Sequence, residues 1–212
     1  MFYGIFFDIW VISLKCYYSL VLVMKFTKRT FDFFLAVAFL LLLIIPMAMI
    51  FIAIRVTSSG NALYWSQRIG ENNKIFMMPK FRSMKADTPA IATHLITDTE
   101  SYLTPIGGFI RRYSLDEFPQ LFSILRGDMS FVGPRPALFN QVELIDLRKD
   151  RGVDKLKPGL TGWAQINGRD DISIIEKVKL DADYIELKSF WFDFKILLVT
   201  FSKVINSEGI SH

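Results

Sequence analysis

One cysteine in the whole chain, Cys16, excludes a disulfide framework, a CxxC redox pair and a thiolate zinc site within one copy. Two histidines, His94 and His212, are too few for a histidine-rich metal site, and His94 is the one realistic histidine base. The order GxxxxGK[ST] does not occur, and no GxGxxG follows a strand, so neither common glycine-rich nucleotide loop is present. Internal repeats and low-complexity tracts are absent. Acids do not dominate either. The formal net charge is +4, which suits an anionic partner such as lipid headgroups, a nucleotide or nucleic acid. A length of 212 residues suggests one domain with an accessory element.

Apolar residues are abundant. Residues 33–54 carry no charge, and as a straight helix they would rise roughly 33 Å, enough to cross a bilayer. Two features favour another geometry. Lys25, Lys28 and Arg29 precede the run, and Arg55, Arg68, Lys74 and Lys80 follow it. Both flanks therefore look cytoplasmic by the charge rule. Pro46 falls mid-run, where it removes one helical hydrogen bond and favours a kink. A re-entrant helix bent at Pro46 satisfies both facts, although proline kinks also occur in true spans. Residues 1–23 are apolar and aromatic but interrupted by Asp8 and Lys15, and no basic region precedes them as in a signal peptide. They are expected to lie in the interface or to form a non-essential extension.

Beyond the run, ALYWSQRIG and KIFMMPKFRSM, joined by the turn-like ENN at 71–73, predict a small hairpin. Its basic residues Arg68, Lys80, Arg82 and Lys85 are expected on a solvated or lipid-facing surface. Residues 88–105 read as a loop with a short helix. Residues 172–188 predict a helix. Residues 189–205 predict another, either a core helix or one lying on a membrane with Trp191, Phe192 and Phe194 at headgroup level.

The segment SLDEFPQLFSILRGDMSFVGPRP, from Ser114 to Pro136, carries the chemistry. Ser114 and Glu117 match a capping box, an ordinary structural role for the acids. Pro119 favours a different register, with Asp116 as N-cap and a helix running to Arg126, stopped by Gly127. An Asp at that place meets converging backbone donors and is expected to have a low pKa. It can cap a helix, ligate a hard cation or attack phosphorus. Arg135 stands between Pro134 and Pro136, so a stiff turn presents its guanidinium, which suits bidentate phosphate binding or a surface ion pair. Arg111 and Arg112 add positive charge nearby. Acids beside arginines without a histidine point to metal-assisted phosphate chemistry rather than a Ser-His-Asp hydrolase. The loop KPGLTGWAQINGR, ending at Arg169, is rich in tight-turn residues.

These segments resemble the bacterial sugar transferases, the monotopic phosphoglycosyl transferases. The resemblance covers about residues 25–205 and rests on KRTFDFF, RIGENNKIFMMPKFRSMKAD, GGFIRRYSLDEFPQLFSILRGDMSFVGPRP, KPGLTGWAQINGR and DYIELKSFWFDFKIL in that order. It implies transfer of a sugar-1-phosphate from a UDP-sugar to undecaprenyl phosphate, with release of UMP. Asp116 and Glu117 match the catalytic dyad, with Asp116 the nucleophile that becomes a covalent phosphosugar and both acids holding Mg²⁺. Arg111, Arg135 and, less directly, Arg169 match phosphate-binding arginines. The family's helix bends at a Ser-Pro pair. Here the pair is Ile45-Pro46, so the proline is kept and the serine is not. The implied fold class is α+β and mostly helical: a re-entrant membrane helix, a small β-hairpin, and amphipathic interfacial helices around a compact cytoplasmic domain. Its divisions are 1–24, 25–56 and 57–212. The implied location is the cytoplasmic side of the bacterial inner membrane, in contact with membrane lipid and without nucleic acid, and a homo-oligomer is compatible with it. Two other classes stay open: a lipid-linked glycosyltransferase working by direct displacement, and a non-catalytic membrane adaptor.

Overall fold

The computed structural model describes residues 2–85, 88, 100–168 and 172–205, with side chains described from residue 23 to residue 204. His94 and Arg169 lie outside the described residues. A long helix α1 (Phe2–Thr57) leads into a mixed domain. The elements that follow are β1 (Leu63–Ile69), β2 (Ile75–Phe81), α2 (Gly107–Arg112), α3 (Gln120–Arg126), β3 (Ser130–Val132) and α4 (Val142–Asp150). The order closes with β4 (Gly159–Thr161), α5 (Trp163–Ile166), α6 (Ile174–Leu187) and α7 (Phe190–Ile205). The chain is therefore mostly helical, with two small sheets. β1 and β2 form the antiparallel hairpin, in register from Leu63 opposite Phe81 to Ile69 opposite Ile75. Asn72 and Asn73 take left-handed φ of 57° and 56° at its turn, a conformation that asparagine tolerates better than most residues. β3 and β4 pair in parallel, as the intervening α4 crossover allows.

α1 is not a free-standing helix. Arg29, Asp32, Ala36, Leu40, Leu43, Met47, Ile50 and Ile54 recur every three or four residues, and each touches the domain. They make one stripe of a 3.6-residue helix. Over this interval the helix rises roughly 38 Å, and the domain follows it at both ends. The other face is bare: Leu41 is 72% exposed and Ile45 71%. Pro46 lies within the helix, on its exposed side, without ending it.

The polar members of the stripe sit at its N-terminal end. Arg29 donates to the carbonyls of Ile124 and Leu125, both at 2.6 Å, and Lys157 donates to that of Gly127 at 2.8 Å. Two cations thus satisfy the C-terminal carbonyls of α3. Asp32 accepts from the Phe131 amide at 3.2 Å. Lys28 pairs with Asp193 of α7, whose other oxygen accepts from the Tyr184 hydroxyl of α6 at 2.6 Å. Beneath these contacts lies the main core, including Ala36, Met78, Leu121, Ile124, Phe131, Tyr184 and Ile196. A second cluster joins Ile54 to Ala62, Phe81 and Ile110.

α6 and α7 form where the sequence places helices. α7 buries Asp193 and Ile196 and exposes Trp191, Phe194, Leu198 and Phe201. It is amphipathic, and Phe190 packs edge-on against Phe31 of α1 at 5.3 Å. Of the segment expected as a loop with a short helix, the described part holds one tight turn, Glu100–Tyr102.

Three glycines explain the KPGLTGW loop. A Cβ at Gly133, Gly159 or Gly162 would collide with the backbone of a facing strand or turn. Their absence lets Gly133 donate to Thr161 O and Gly159 to Pro134 O, both at 2.9 Å. The Pro-Arg-Pro turn is thereby bonded to β4.

Replacing Arg29 by Ala removes two charge-assisted bonds to the end of α3, a loss of about 1.5–3 kcal/mol. Thermal unfolding of the detergent-solubilised variant will show a lowered midpoint, with the Lys replacement falling between the two.

Candidate active site

The acids and the Pro-Arg-Pro turn meet, but not as the helix register suggests. Asp116 is not an N-cap. Leu115–Glu117 forms one tight 3-10 turn, entered through Ser114 at a left-handed φ of 54°, and α3 starts only at Gln120 with Pro119 at its N-cap. The Ser114 side chain makes no capping bond, so the capping box is also absent. The backbone instead closes successive three-residue turns, Glu117 to Ser114 and Phe118 to Leu115. Side-chain cations, rather than helix amides, hold the carboxylates. Gly127 does stop α3, with φ 89°.

Glu117 is the hub. Its Oε1 accepts from Arg135 at 2.8 Å and from Lys80 at 2.9 Å. Burial acts to raise its pKa, but Arg135 and Lys80 together hold it well below the usual carboxylate range. Asp116 differs. Its ion-pair partner is Lys80, at a looser 3.7 Å, and no hydrogen bond to its carboxylate is seen among the described residues. Burial and the neighbouring Glu117 charge push its pKa up, against the pull of Lys80, Arg111 and Arg135. The expectation of a low pKa from helix capping is thus overturned: the cap is missing and desolvation dominates. The two adjacent acids are inequivalent. Glu117 is committed to two cations, while Asp116 keeps its lone pairs for something else.

Arg135 is braced from behind. Arg148 of α4 donates to the Arg135 carbonyl at 2.8 Å and to Asp181 of α6 at 2.6 and 3.0 Å. Arg148 and Asp181 are both buried, so the turn is fixed by an internal ion pair. Arg111, at the end of α2, contacts the Met84 sulfur at 3.1 Å and adds its field to Asp116.

Lys80 is the residue that sequence reading misplaced. It was expected with Arg68, Arg82 and Lys85 on a solvated or lipid-facing surface, yet it sits under the dyad. Arg68 and Arg82 also bond backbone carbonyls, of Pro136 and of Ser58 and Ser59. The available signal was slight: Lys80 is a charge set between Pro79 and Phe81, which are both buried in β2. Arg148 and Asp181 gave no motif at all.

Two carboxylates with one uncommitted suit a hard divalent cation that completes its shell with substrate phosphate and water. No cluster of three or more acidic, histidine or cysteine ligands occurs among the described residues, and the two acids alone would leave most of the ion's shell to substrate oxygens and water. The donor set fits Mg²⁺ on those terms.

Residues 23–207 match the family model described as bacterial sugar transferase. The chain belongs to that family. Similar members include an uncharacterised sugar transferase, EpsL, of Bacillus subtilis (strain 168), 42% identical over 184 residues, which span 86% of this chain and 89% of that protein. The undecaprenyl-phosphate glucose phosphotransferase of Komagataeibacter xylinus is 39% identical over 86% of this chain and 36% of its own length. The UDP-glucose:undecaprenyl-phosphate glucose-1-phosphate transferase of Escherichia coli (strain K12) is 38% identical over 84% and 40%. The chain therefore spans less than half of those two longer transferases. The matched region of this sugar transferase includes both acids, all the cations around them and the gripped part of α1.

Removing the Lys80 charge leaves Asp116 harder to ionise. In Lys80→Met, the acid limb of the activity–pH profile will move to higher pH, and activity at neutral pH will fall by roughly a hundredfold. An unmoved limb would remove Lys80 from the electrostatics of the dyad.

Proposed function

We propose that this protein transfers a sugar-1-phosphate from a UDP-sugar to undecaprenyl phosphate and so begins the assembly of a surface polysaccharide or glycoconjugate. The names of the relatives support the substrate classes. The observation that carries the mechanism is the inequivalence of Asp116 and Glu117.

Asp116, largely shielded from water and not hydrogen-bonded among the described residues, is the nucleophile. A carboxylate oxygen attacks the β-phosphorus of the UDP-sugar. The phosphoanhydride bond breaks, and UMP leaves with the bridging oxygen. An aspartyl phosphosugar results. A phosphate oxygen of undecaprenyl phosphate then attacks the same phosphorus, and the bond to Asp116 breaks to restore the carboxylate. Both nucleophiles are anions, so no proton has to be removed and no histidine base is required. The difficulty is repulsion between anions. Arg135, Arg111 and Lys80 offset it from fixed positions, and Glu117 keeps Arg135 and Lys80 aimed. Mg²⁺, held by Asp116 and Glu117, would supply further neutralisation of the diphosphate. Arg169 is a third phosphate contact in this reading.

The acceptor requires a membrane. α1 enters the lipid as a re-entrant helix with Pro46 at its bend, and the exposed apolar face of α7 lies at the headgroup level. The domain then sits on the cytoplasmic side of the inner membrane. The grip of the domain on α1 at both ends supports this arrangement, because a helix crossing the bilayer would carry one end away from the domain.

The purified protein, given Mg²⁺ and a panel of UDP-sugars without acceptor, should gain the mass of one sugar phosphate, and Asp116→Asn should not. No adduct together with UMP release once undecaprenyl phosphate is added would mean direct displacement. Replacing Arg135 by Lys should lower kcat/KM by about 100-fold, since bidentate geometry is lost, and steady-state UMP release measures it.

A further inference from the structure

We propose that the hydrocarbon chain of the lipid acceptor occupies the cavity between α1, α3, β4 and α7, with its phosphate directed to Arg135. The proposal rests on the acceptor reading above. The cavity measures about 510 Å³ and includes Glu117 and Arg135 in its lining, so it reaches the dyad on its Glu117 side. This volume lies within the usual range for a small-ligand site. Away from those two charges its wall is mostly hydrocarbon: Leu43, Leu121, Leu160 and Leu197, with Phe39 and Phe201 also lining it.

Three of the polar groups that line the wall, Thr161, Thr200 and Lys203, are already engaged. Thr161 and Thr200 share a hydrogen bond of 2.7 Å, and Thr200 donates onward to Ile196 O at 2.8 Å. Lys203 donates to Ile166 O at 2.8 Å. The Gln165 amide atoms are buried and have no hydrogen-bond partner among the described residues. A nucleoside or sugar placed here would lose hydrogen bonds to water and find few replacements. An isoprenoid chain loses none and gains apolar contact.

The position favours the same occupant. Phe39 is 38% exposed and Phe201 67%, so the cavity reaches the surface between α1 and α7. These helices carry the bare apolar faces described above. A chain drawn from lipid would therefore meet no polar barrier between the bilayer and the cavity. The phosphate, at the other extreme of the amphiphile, meets Arg135.

Two measurements on the full chain in lipid nanodiscs test the assignment. In the first, Leu160→Trp and Thr200→Trp fill the cavity. The KM for undecaprenyl phosphate should rise at least about tenfold, while the KM for the UDP-sugar stays within about twofold. Equal increases in both would overturn the assignment. In the second, Phe201→Cys is placed in a Cys16→Ser chain and labelled with a maleimide. Because Phe201 is largely exposed, this variant does not strain the core. Farnesyl phosphate should slow the labelling and UDP-sugar should not. Protection by the UDP-sugar would give the cavity to the donor, and protection by neither would leave it without this role. Absence of sugar-phosphate transfer to lipid by the unmodified protein would instead defeat the acceptor reading itself.

Discussion

A single carboxylate oxygen organises the site. Glu117 Oε1 joins Lys80 of β2 to Arg135 of the turn after β3, two segments that belong to different sheets. Without that oxygen, two cations would face each other at low dielectric, and neither sheet would have reason to approach the other closely. With it, the cations become fixed positive charge. The remaining acid, Asp116, is then surrounded by potential that it does not consume in hydrogen bonds. Reactivity at one position depends on restraint at its neighbour.

The supports of this arrangement reach the rest of the molecule. Arg148 and Asp181 hold the carbonyl of Arg135 from the α4 and α6 side. Glycine contacts hold the same turn from the β4 side. From below, Arg29 ends α3 and Asp32 fixes the Phe131 amide. α3, which follows the two acids, and β3, which precedes Arg135, are therefore tied within one helical turn of α1. Desolvation offsets much of the Coulombic gain of the buried ion pairs, and their value here lies in placement.

Much of this was legible from the sequence. The ENN turn, the stop at Gly127 and the helices after residue 172 follow from local chemistry, because each is decided within a few residues. The family resemblance extended over nearly the same residues as the family match. What local reasoning could not reach was decided by distant partners. Asp116 looked like a cap because Pro119 permits that register; Lys80, 36 positions upstream, makes another conformation better. Lys80 itself looked like surface, since a strand gives no sign of the carboxylates that will face it. Arg148 and Asp181 stand in ordinary helices and acquire meaning only from the carbonyl between them. The same limit applies to pKa: spacing identifies an acid, but only packing shows how much water it has lost.

The continuous grip along α1 also has a mechanical consequence. Most membrane helices answer a change in bilayer thickness by tilting or sliding. A helix held from Arg29 to Ile54 by one folded body cannot do either without carrying that body along. For the proposed membrane-bound state, the height of Asp116 and Glu117 relative to the lipid phosphates is then a property of the protein alone, like the working height of a tool bolted to its bench. In that state the surrounding lipid, being softer, would have to thin or thicken locally to meet it, and the composition of the bilayer would become part of the cost of each encounter.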